Sequence, residues 1–323
     1  MEQAKTVHQD DVRELTEWLA GRIIGQQHLL QRLMIALLCG GHLLVEGAPG
    51  LAKTRAIKEL AQGVEGDFHR IQFTPDLLPS DVTGTEVYRV EDGSFVFQPG
   101  PIFHNLLLAD EINRAPAKVQ SALLEAMAEH QVSFGRETFP LPDLFLVMAT
   151  QNPIEQEGTY PLPEAQLDRF LMQVNVDYPD AEAETQILHL VRKEAANRNS
   201  TEASPSRLDE ATIFAARKAI LGLHMAAPVE RYIVELIMAS PQPVGVLATW
   251  LEYGASPRGT ISLDQCSRAL AWLEGRTFVT PDDVARVAHD VLRHRLILTF
   301  EAQAKGITTD QAIDELLASV PVP

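Results

Sequence analysis

The feature that most constrains this chain is a glycine-rich segment at residues 47–54. The apolar run before it, 43–46, is typical of a buried strand, and residues 55–61 have apolar side chains at helical spacing. A strand, a glycine-rich turn and a helix are the context that a phosphate-binding loop requires. Loop N–H groups and the helix N-terminus would hold phosphates, Lys53 would reach the β and γ phosphates, and Thr54 would ligate Mg²⁺. The segment therefore predicts a nucleotide-binding α/β protein.

Position 52 departs from the usual form of this loop, because alanine stands where glycine commonly precedes the lysine. Alanine tolerates the right-handed helical region but is strained at positive φ. We therefore expect Ala52 to be harmless only if its backbone is helical.

Composition narrows the class of protein. The chain has 323 residues, 46% of them hydrophobic, which is enough for two domains and a sizeable core. A formal net charge of −17 argues against a broad nucleic-acid-binding surface and against an anchor on anionic membranes. Cys39 and Cys266 stand far apart in the sequence in apolar contexts, so we expect two reduced core thiols. With no signal peptide and no bilayer-length apolar stretch, we expect a cytoplasmic protein.

Apolar runs alternate with helical patterns up to residue 177 and predict a parallel sheet. The predicted strands lie at 43–46, 68–73, 106–111, 144–149 and 171–176. Two hairpins interrupt this order, one near 83–98 with an Asp-Gly turn and one at 131–140 around Gly135 and Arg136. From residue 178 to 323 we expect a helical domain, with helices near 181–198, 208–223, 229–240, 258–275, 281–296 and 309–319. Ser256 and Thr280, each followed by proline, predict helix starts.

Two carboxylates, Asp110 and Glu111, follow the apolar run 106–109 directly. ATP hydrolysis requires a metal ion and an activated water. We expect Asp110 to hold Mg²⁺ through water and Glu111 to polarise the attacking water as general base. Adjacent acids on a strand point to opposite faces, so the two can serve one site only if the strand ends there.

Four more polar residues are candidates for the same chemistry. Asn152 stands at the tip of the next buried strand, where its amide can orient the water or contact the γ-phosphate. Arg169, beside the last strand, and Arg258, at the start of a lid helix, are candidates for neutralising transition-state charge. Arg114 is a third candidate, or else binds a neighbouring subunit.

With these residues in place, the chain resembles the MoxR family of AAA+ ATPases from about residue 22 to its last helices. The matching segments are 47–54 (Walker A), 106–116 (Walker B), 149–153 (sensor 1), 167–170 (arginine finger) and 254–258 (sensor 2). MoxR proteins typically have the alanine found at position 52. The resemblance implies a P-loop AAA+ α/β core, with a central parallel sheet between helices, and a C-terminal all-α lid.

The resemblance also implies an assembly. The two hairpins look like the helix-2 insert and the pre-sensor-1 hairpin of the clade that holds magnesium-chelatase motors and replicative helicases. Such proteins form rings, usually hexameric, with ATP between subunits, so Arg169 would act on the neighbour's nucleotide, whereas the direction of Arg258 stays open. Ile24 and Gly25 stand where such proteins contact adenine. The candidate nucleotide-binding residues are Ile24, Gly25, Gly47, Ala48, Pro49, Gly50, Leu51, Ala52, Lys53, Thr54, Arg55 and Asp110.

MoxR proteins are regarded as chaperone-like motors that mature client proteins, often with a von Willebrand factor A domain partner and sometimes by inserting a metal cofactor. Two alternatives stay open. A nucleic-acid motor of the same clade is disfavoured by the net charge and by hairpins whose basic residues are Arg89 and Arg136. A nucleotide-dependent scaffold without turnover is disfavoured by Glu111. We expect neither nucleic-acid binding nor membrane insertion.

Overall fold

The computed structural model describes residues 2–91, 93–135, 137–153, 158–196 and 207–323. The helices are α1 (Glu2–Ala20), α2 (Gln27–Cys39), α3 (Lys53–Gly63), α4 (Pro79–Thr83), α5 (Ala117–Glu129), α6 (Glu164–Leu167), α7 (Ala181–Ala196), α8 (Glu210–Leu221), α9 (Ala227–Ala239), α10 (Leu247–Trp250), α11 (Pro257–Leu273), α12 (Pro281–Leu292), α13 (Phe300–Ala304) and α14 (Thr309–Ser319). The strands are β1 (Leu43–Gly47), β2 (Phe68–Gln72), β3 (Gly84–Arg89), β4 (Ser94–Pro99), β5 (Leu106–Asp110), β6 (Gln131–Phe134), β7 (Glu137–Pro140), β8 (Leu146–Gln151), β9 (Met172–Val176), β10 (Leu251–Tyr253) and β11 (Ile297–Leu298).

The described residues contain a five-stranded parallel sheet in the order β2-β5-β8-β1-β9. Every strand of it was predicted from the sequence, β1, β5 and β8 from continuous apolar runs and β2 from an alternating pattern. Side chains alternate between the two faces, as the strand period requires. On β5, for example, Leu106 and Leu108 join one apolar cluster, while Leu107 and Ala109 join the other. Because all strands are parallel, their carboxyl ends meet at one edge, where α/β proteins bind ligands.

Helices cover both faces of the sheet. One face packs against α1, α2 and α3, and the same apolar cluster continues into α8, α9, α11, α12 and α14. The other face packs against α4 and α5. The sheet between helices and the helical region after it are therefore confirmed, whereas the predicted boundary after residue 177 stays a prediction.

Both predicted hairpins are present. Strands β3 and β4 pair antiparallel, as do β6 and β7. The predicted turn positions Asp92 and Arg136 lie outside the described residues. Phe97 of β4 stacks on Phe139 of β7 with ring centroids 4.1 Å apart and planes inclined by 16°. This contact joins the two hairpins, although each hairpin is recognisable from its own sequence.

The C-terminal region departs from the all-helical prediction. Strands β10 and β11 pair antiparallel, and the helix expected over 281–296 ends at Leu292. Strands of two or three residues are too short to show a period in the sequence, so they could not be predicted. The predicted starts are confirmed: Ser256 Oγ accepts the Arg258 N–H, and Thr280 forms a capping box with Asp283. No helix in the described part of the chain is both long and apolar enough to cross a bilayer.

The two cysteines are free thiols, as predicted, but they are not separate. Cys39 at the end of α2 lies beside Cys266 of α11. A hydrogen bond with Cys266 and burial raise the pKa of the Cys39 thiol well above its ordinary value. A thiol that is protonated at neutral pH is a poor nucleophile and metal ligand.

Candidate nucleotide site

The glycine-rich loop connects β1 to α3 at the carboxyl edge of the sheet. A Cβ atom at Gly47 would lie 2.7 Å from the Val176 carbonyl oxygen, so only glycine fits there. Gly50 has φ +87°, a conformation that also favours glycine. No side chain caps α3, so its first N–H groups stay available to an anion at the helix N-terminus.

Ala52 does not have the right-handed helical backbone that would leave it free of strain. Its backbone is left-handed, with φ 57° and ψ 12°, and it forms the N-cap of α3. The loop has to reverse at this point so that the chain can enter the helix. An alanine in this region costs roughly 1–2 kcal/mol relative to the right-handed form, so the loop is strained.

The Lys53 side chain connects the loop to the tip of β8. Its Nζ donates to the carbonyl of Gly47 and, at 3.3 Å, to the carbonyl of Gln151. Burial lowers the pKa of Lys53, whereas the charges of Asp110 and Glu111 raise it. The ammonium group is therefore held beside the carboxylates, in the position expected for a phosphate contact.

Asp110 ends β5 and is 9% exposed. Its Oδ1 accepts a hydrogen bond from Thr150 Oγ1 at 2.5 Å. Its Oδ2 accepts from Arg70 Nη2 at 2.7 Å and from Nε at 3.1 Å. Both oxygens are thus hydrogen-bonded to protein groups, and the carboxylate is oriented by two neighbouring strands.

Glu111 lies just past the strand, as its predicted role requires. It has φ 58° and ψ 50°, so the chain turns sharply after Asp110. The Glu111 N–H donates to Thr150 Oγ1 at 3.0 Å, and its carboxylate lies 3.2 Å from Arg114 Nε. A non-glycine residue in this region is unusual and often marks a functional site. Both acids consequently face the same edge.

Thr150 and Arg70 are the polar residues that sequence reasoning missed. Thr150 is 1% exposed and bonds to both acids. Arg70 reaches Asp110 because β2 pairs with β5, placing Gln72 opposite Asp110. No local pattern signals either contact, since both depend on which strands are neighbours.

A small cavity of about 150 Å³ lies beside the loop. Ile24, which was predicted to contact adenine, lines it, and Gly25 packs closely against Pro179 and Ala183 with φ +77°. The other lining residues are Arg22, Gln26, Gly50, Leu51, Ala52, Arg55, Pro179, Glu184, Ile187 and Leu190. Its apolar and amide groups suit a planar base.

Asn152 follows β8 and is 6% exposed. It stands next to Gln151, whose carbonyl accepts from Lys53. The amide is therefore at the same edge as the loop and the two acids. Oxygen donors from Thr54 and Asp110 fit the preference of Mg²⁺ for hard ligands. Within the described residues, no group of three or more His, Cys, Asp or Glu forms another metal cage.

Arg169 and Arg258 lie at the amino ends of the strands, opposite the carboxyl ends where the glycine-rich loop lies. Leu171, two residues after Arg169, donates its N–H to the His42 carbonyl at 2.9 Å, and His42 precedes β1. Five strand steps separate His42 from Gly47, roughly 16 Å. Arg169 Nη1 donates to the Leu124 carbonyl at 2.6 Å. Neither arginine is brought to the loop of its own chain.

Both arginines line one cleft of about 250 Å³. The wall also includes Gly40, Gly41, His42, Met127, Ala128, His130, Asp168, Phe170, Leu171, Ile261, Ser262 and Arg295. The sequence placed these two arginines in different domains. The tertiary structure places them together, facing away from the nucleotide loop of the same chain.

Comparison with known proteins agrees with this geometry. Residues 42–172 match the ATPase family associated with various cellular activities (AAA), and residues 247–316 match the AAA lid domain. The chain is 47% identical to Chaperone MoxR1 of Mycobacterium tuberculosis over 307 residues, 93% of this chain and 79% of that protein. It is 32% identical to Protein MoxR of Methylorubrum extorquens over 96% of this chain and 97% of that one.

A solved structure has the same fold throughout. The crystal structure of a candidate ATPase from Cytophaga hutchinsonii superposes with a TM-score of 0.92 at 43% identity, covering 100% of this chain and 98% of that one. Together with the loop, the paired acids and the lid, these similarities show that the chain belongs to the MoxR family of AAA+ ATPases.

Proposed function

We propose that this protein hydrolyses ATP with Mg²⁺ and uses the energy to remodel client proteins as a chaperone-like motor. The observation that supports hydrolysis most strongly is the meeting of five groups at one sheet edge. These groups are the strained loop, the Lys53 ammonium, the carboxylate of Asp110, the carboxylate of Glu111 and the Asn152 amide. A binding module would need the loop, but it would not need an acid turned into the site by a left-handed backbone.

Each residue has a role in this proposal. Lys53 and the N–H groups of the loop bind the phosphates. Thr54, and Asp110 through water, would hold Mg²⁺, which would neutralise charge on the phosphates. Glu111 accepts the proton of the attacking water, and Asn152 orients that water. Thr150 holds the Asp110 carboxylate and the backbone N–H of Glu111.

Arg169 and Arg258 act on the nucleotide of a neighbouring subunit. Arg169 lines the same cleft as His42, which lies roughly 16 Å along the sheet from Gly47 of the loop. This position supports the direction for Arg169, and the shared cleft supports the same direction for Arg258. A ring, most simply a hexamer, would bring this cleft to the next subunit's loop.

Clients are proposed to meet the β3–β4 hairpin. It displays large apolar side chains to solvent, including Val87, Tyr88, Val90 and Phe95, and Val90 is 85% exposed. Exposed apolar surface of this kind marks protein contacts. Insertion of a metal cofactor into the client, a von Willebrand factor A domain partner and a cytoplasmic location remain predictions from the family.

The Glu111→Gln variant tests hydrolysis. We expect the ATPase rate to fall about 10²- to 10⁴-fold, the contribution of a general base, while nucleotide affinity stays. Steady-state phosphate release and equilibrium binding of a fluorescent ATP analogue measure the two quantities. Glu129→Gln, on the exposed end of α5, is the matched control and should have the wild-type rate. An unchanged rate in Glu111→Gln would favour the nucleotide-dependent scaffold.

The nucleic-acid motor is the second alternative. The excess of acidic residues and the apolar hairpin argue against it. Salt-sensitive DNA binding at low ionic strength, together with DNA-stimulated ATPase, would support it instead.

A further inference from the structure

A single carboxylate links the two arginines of the cleft. Asp168 directly precedes Arg169. Its Oδ2 accepts from Ser256 Oγ at 2.8 Å, and its Oδ1 accepts from Arg295 Nε at 2.8 Å. Ser256 caps α11, whose first turn contains Arg258, and Ser256 Oγ also accepts the Arg258 N–H at 3.2 Å. Asp168 is therefore bonded to the elements that present both arginines.

Arg295 strengthens this link from within the protein. It is 6% exposed and donates to the carbonyls of Phe170 at 2.7 Å and Leu171 at 3.2 Å. It also donates to Ser262 Oγ of α11 at 3.2 Å. The planar guanidinium can make these bonds at once because its donors are fixed in a fork. Arg295 thus binds both the turn that follows Arg169 and the helix of Arg258.

The two residues before Arg295 also bond to the segment that follows Arg169. His294 Nε2 lies 3.1 Å from the Phe170 carbonyl, and Arg293 Nη1 donates to the Gln173 carbonyl at 2.6 Å. Three consecutive residues after α12 therefore bond to the segment that leads from Arg169 into β9. Such dense contacts leave little freedom for the lid to move without this segment.

We propose that Asp168 and Arg295 are positioning residues that make Arg169 and Arg258 one rigid unit, presented together to the neighbouring subunit's nucleotide. The inference rests on the proposed ATPase function. It implies that a rotation of the lid in one subunit displaces both arginines at the next subunit's site.

The Asp168→Asn variant tests this unit, because it keeps the side chain's shape and removes its charge. We expect kcat to fall about 10- to 100-fold, as for a small misplacement of catalytic groups. The KM for ATP and the affinity for a fluorescent nucleotide should not change, since the subunit's own loop is untouched. Asp264→Asn, which removes the ion pair with Arg268 on the same helix, is the control and should match wild type.

Mixing two variant proteins identifies whether the Asp168→Asn substitution impairs the nucleotide site of its own subunit or that of the neighbouring subunit. A Lys53→Ala subunit cannot bind nucleotide properly but keeps an intact arginine unit. Adding it to Asp168→Asn protein should restore turnover, because intact arginines then face intact nucleotide loops. If Asp168→Asn fails to fold, Ser256→Ala tests the same link, with an expected loss of about 2- to 10-fold from one hydrogen bond.

Three outcomes would overturn the positioning proposal: wild-type turnover in the folded variant, loss of its nucleotide affinity, or no restoration on mixing. Failure of the proposed ATPase function would be seen in two other measurements. Wild-type protein would then lack ATPase activity, or Arg169→Ala would retain it fully, and the positioning proposal would fall as well.

Discussion

Ala52 has a left-handed backbone in a loop that must hold phosphates. Glycine avoids that strain but loses more entropy on folding, so we expect Ala52→Gly to raise the free energy of unfolding by roughly 0.5–1 kcal/mol. Ala56→Gly, inside the right-handed helix α3, is the control and should lower it by about 2 kcal/mol, because helix propensity and the burial of a methyl group are both lost. Chemical denaturation measures both. A decrease for Ala52→Gly would show that the left-handed backbone costs less than the entropy that glycine loses on folding.

His42 is a second residue whose environment has a measurable consequence. Burial lowers its pKa from 6.5 to about 4, and the hydrogen bond to the Met127 carbonyl only partly opposes this change. The unfolded state therefore binds more protons between these two pH values. The contribution of the neutral His42 imidazole to the free energy of unfolding is complete above pH 6.5 and is lost as the pH falls towards 4. At 1.36 kcal/mol per pH unit, the loss from His42 reaches about 2 kcal/mol at pH 5.

The His42→Gln variant should remove this part of the pH dependence. Between pH 7 and pH 5, its free energy of unfolding should fall by about 2 kcal/mol less than that of wild type. Urea denaturation at the two pH values gives the comparison. His189→Gln, on the exposed surface of α7, should follow the wild-type curve. Parallel curves for wild type and His42→Gln would contradict the buried neutral imidazole.

At the scale of elements, the two hairpins are joined by aromatic contacts. Phe97 stacks on Phe139 and also lies near Phe103 and Phe134, with ring centroids 5.7 and 5.9 Å away. Aromatic pairs contribute about 0.5–1.5 kcal/mol each beyond their buried area. The hairpins should therefore open together rather than separately.

Phe97→Ala tests this coupling. We expect hydrogen exchange to accelerate in β6–β7 as well as in β3–β4, because the truncated side chain no longer bridges them. Phe95→Ala changes an exposed phenylalanine on the same strand and should leave β6–β7 unaffected. Acceleration confined to β3–β4 in Phe97→Ala would mean that the hairpins are independent.

At the scale of the whole molecule, the nucleotide loop lies at the carboxyl ends of the strands, and the arginine cleft lies at their amino ends. In the proposed mechanism, a single chain therefore has both halves of the catalytic site but cannot join them. We expect the specific ATPase activity to rise with protein concentration as subunits associate. Arg169→Ala should lower it about 10³-fold, the scale of an arginine finger, without loss of nucleotide binding. A concentration-independent rate would mean a self-contained site.

Much of the fold could be predicted from the chain alone. Buried parallel strands are continuous apolar runs, so β1, β5 and β8 were evident, and Ser256 and Thr280 identified their helix starts through local capping chemistry. The strands β10 and β11 could not be predicted, because two or three residues define no period.

The features of the site also differ in whether they could be predicted from the sequence. By itself, the sequence determined the phosphate loop, the paired acids and the family, because each depends on residues adjacent in the chain. Only the tertiary structure decided that Arg70 and Thr150 bond to Asp110, that Ala52 is left-handed, and that Arg169 and Arg258 share a cleft away from their own loop. Those features arise from strand order and lid packing, which bring together residues that no local pattern connects.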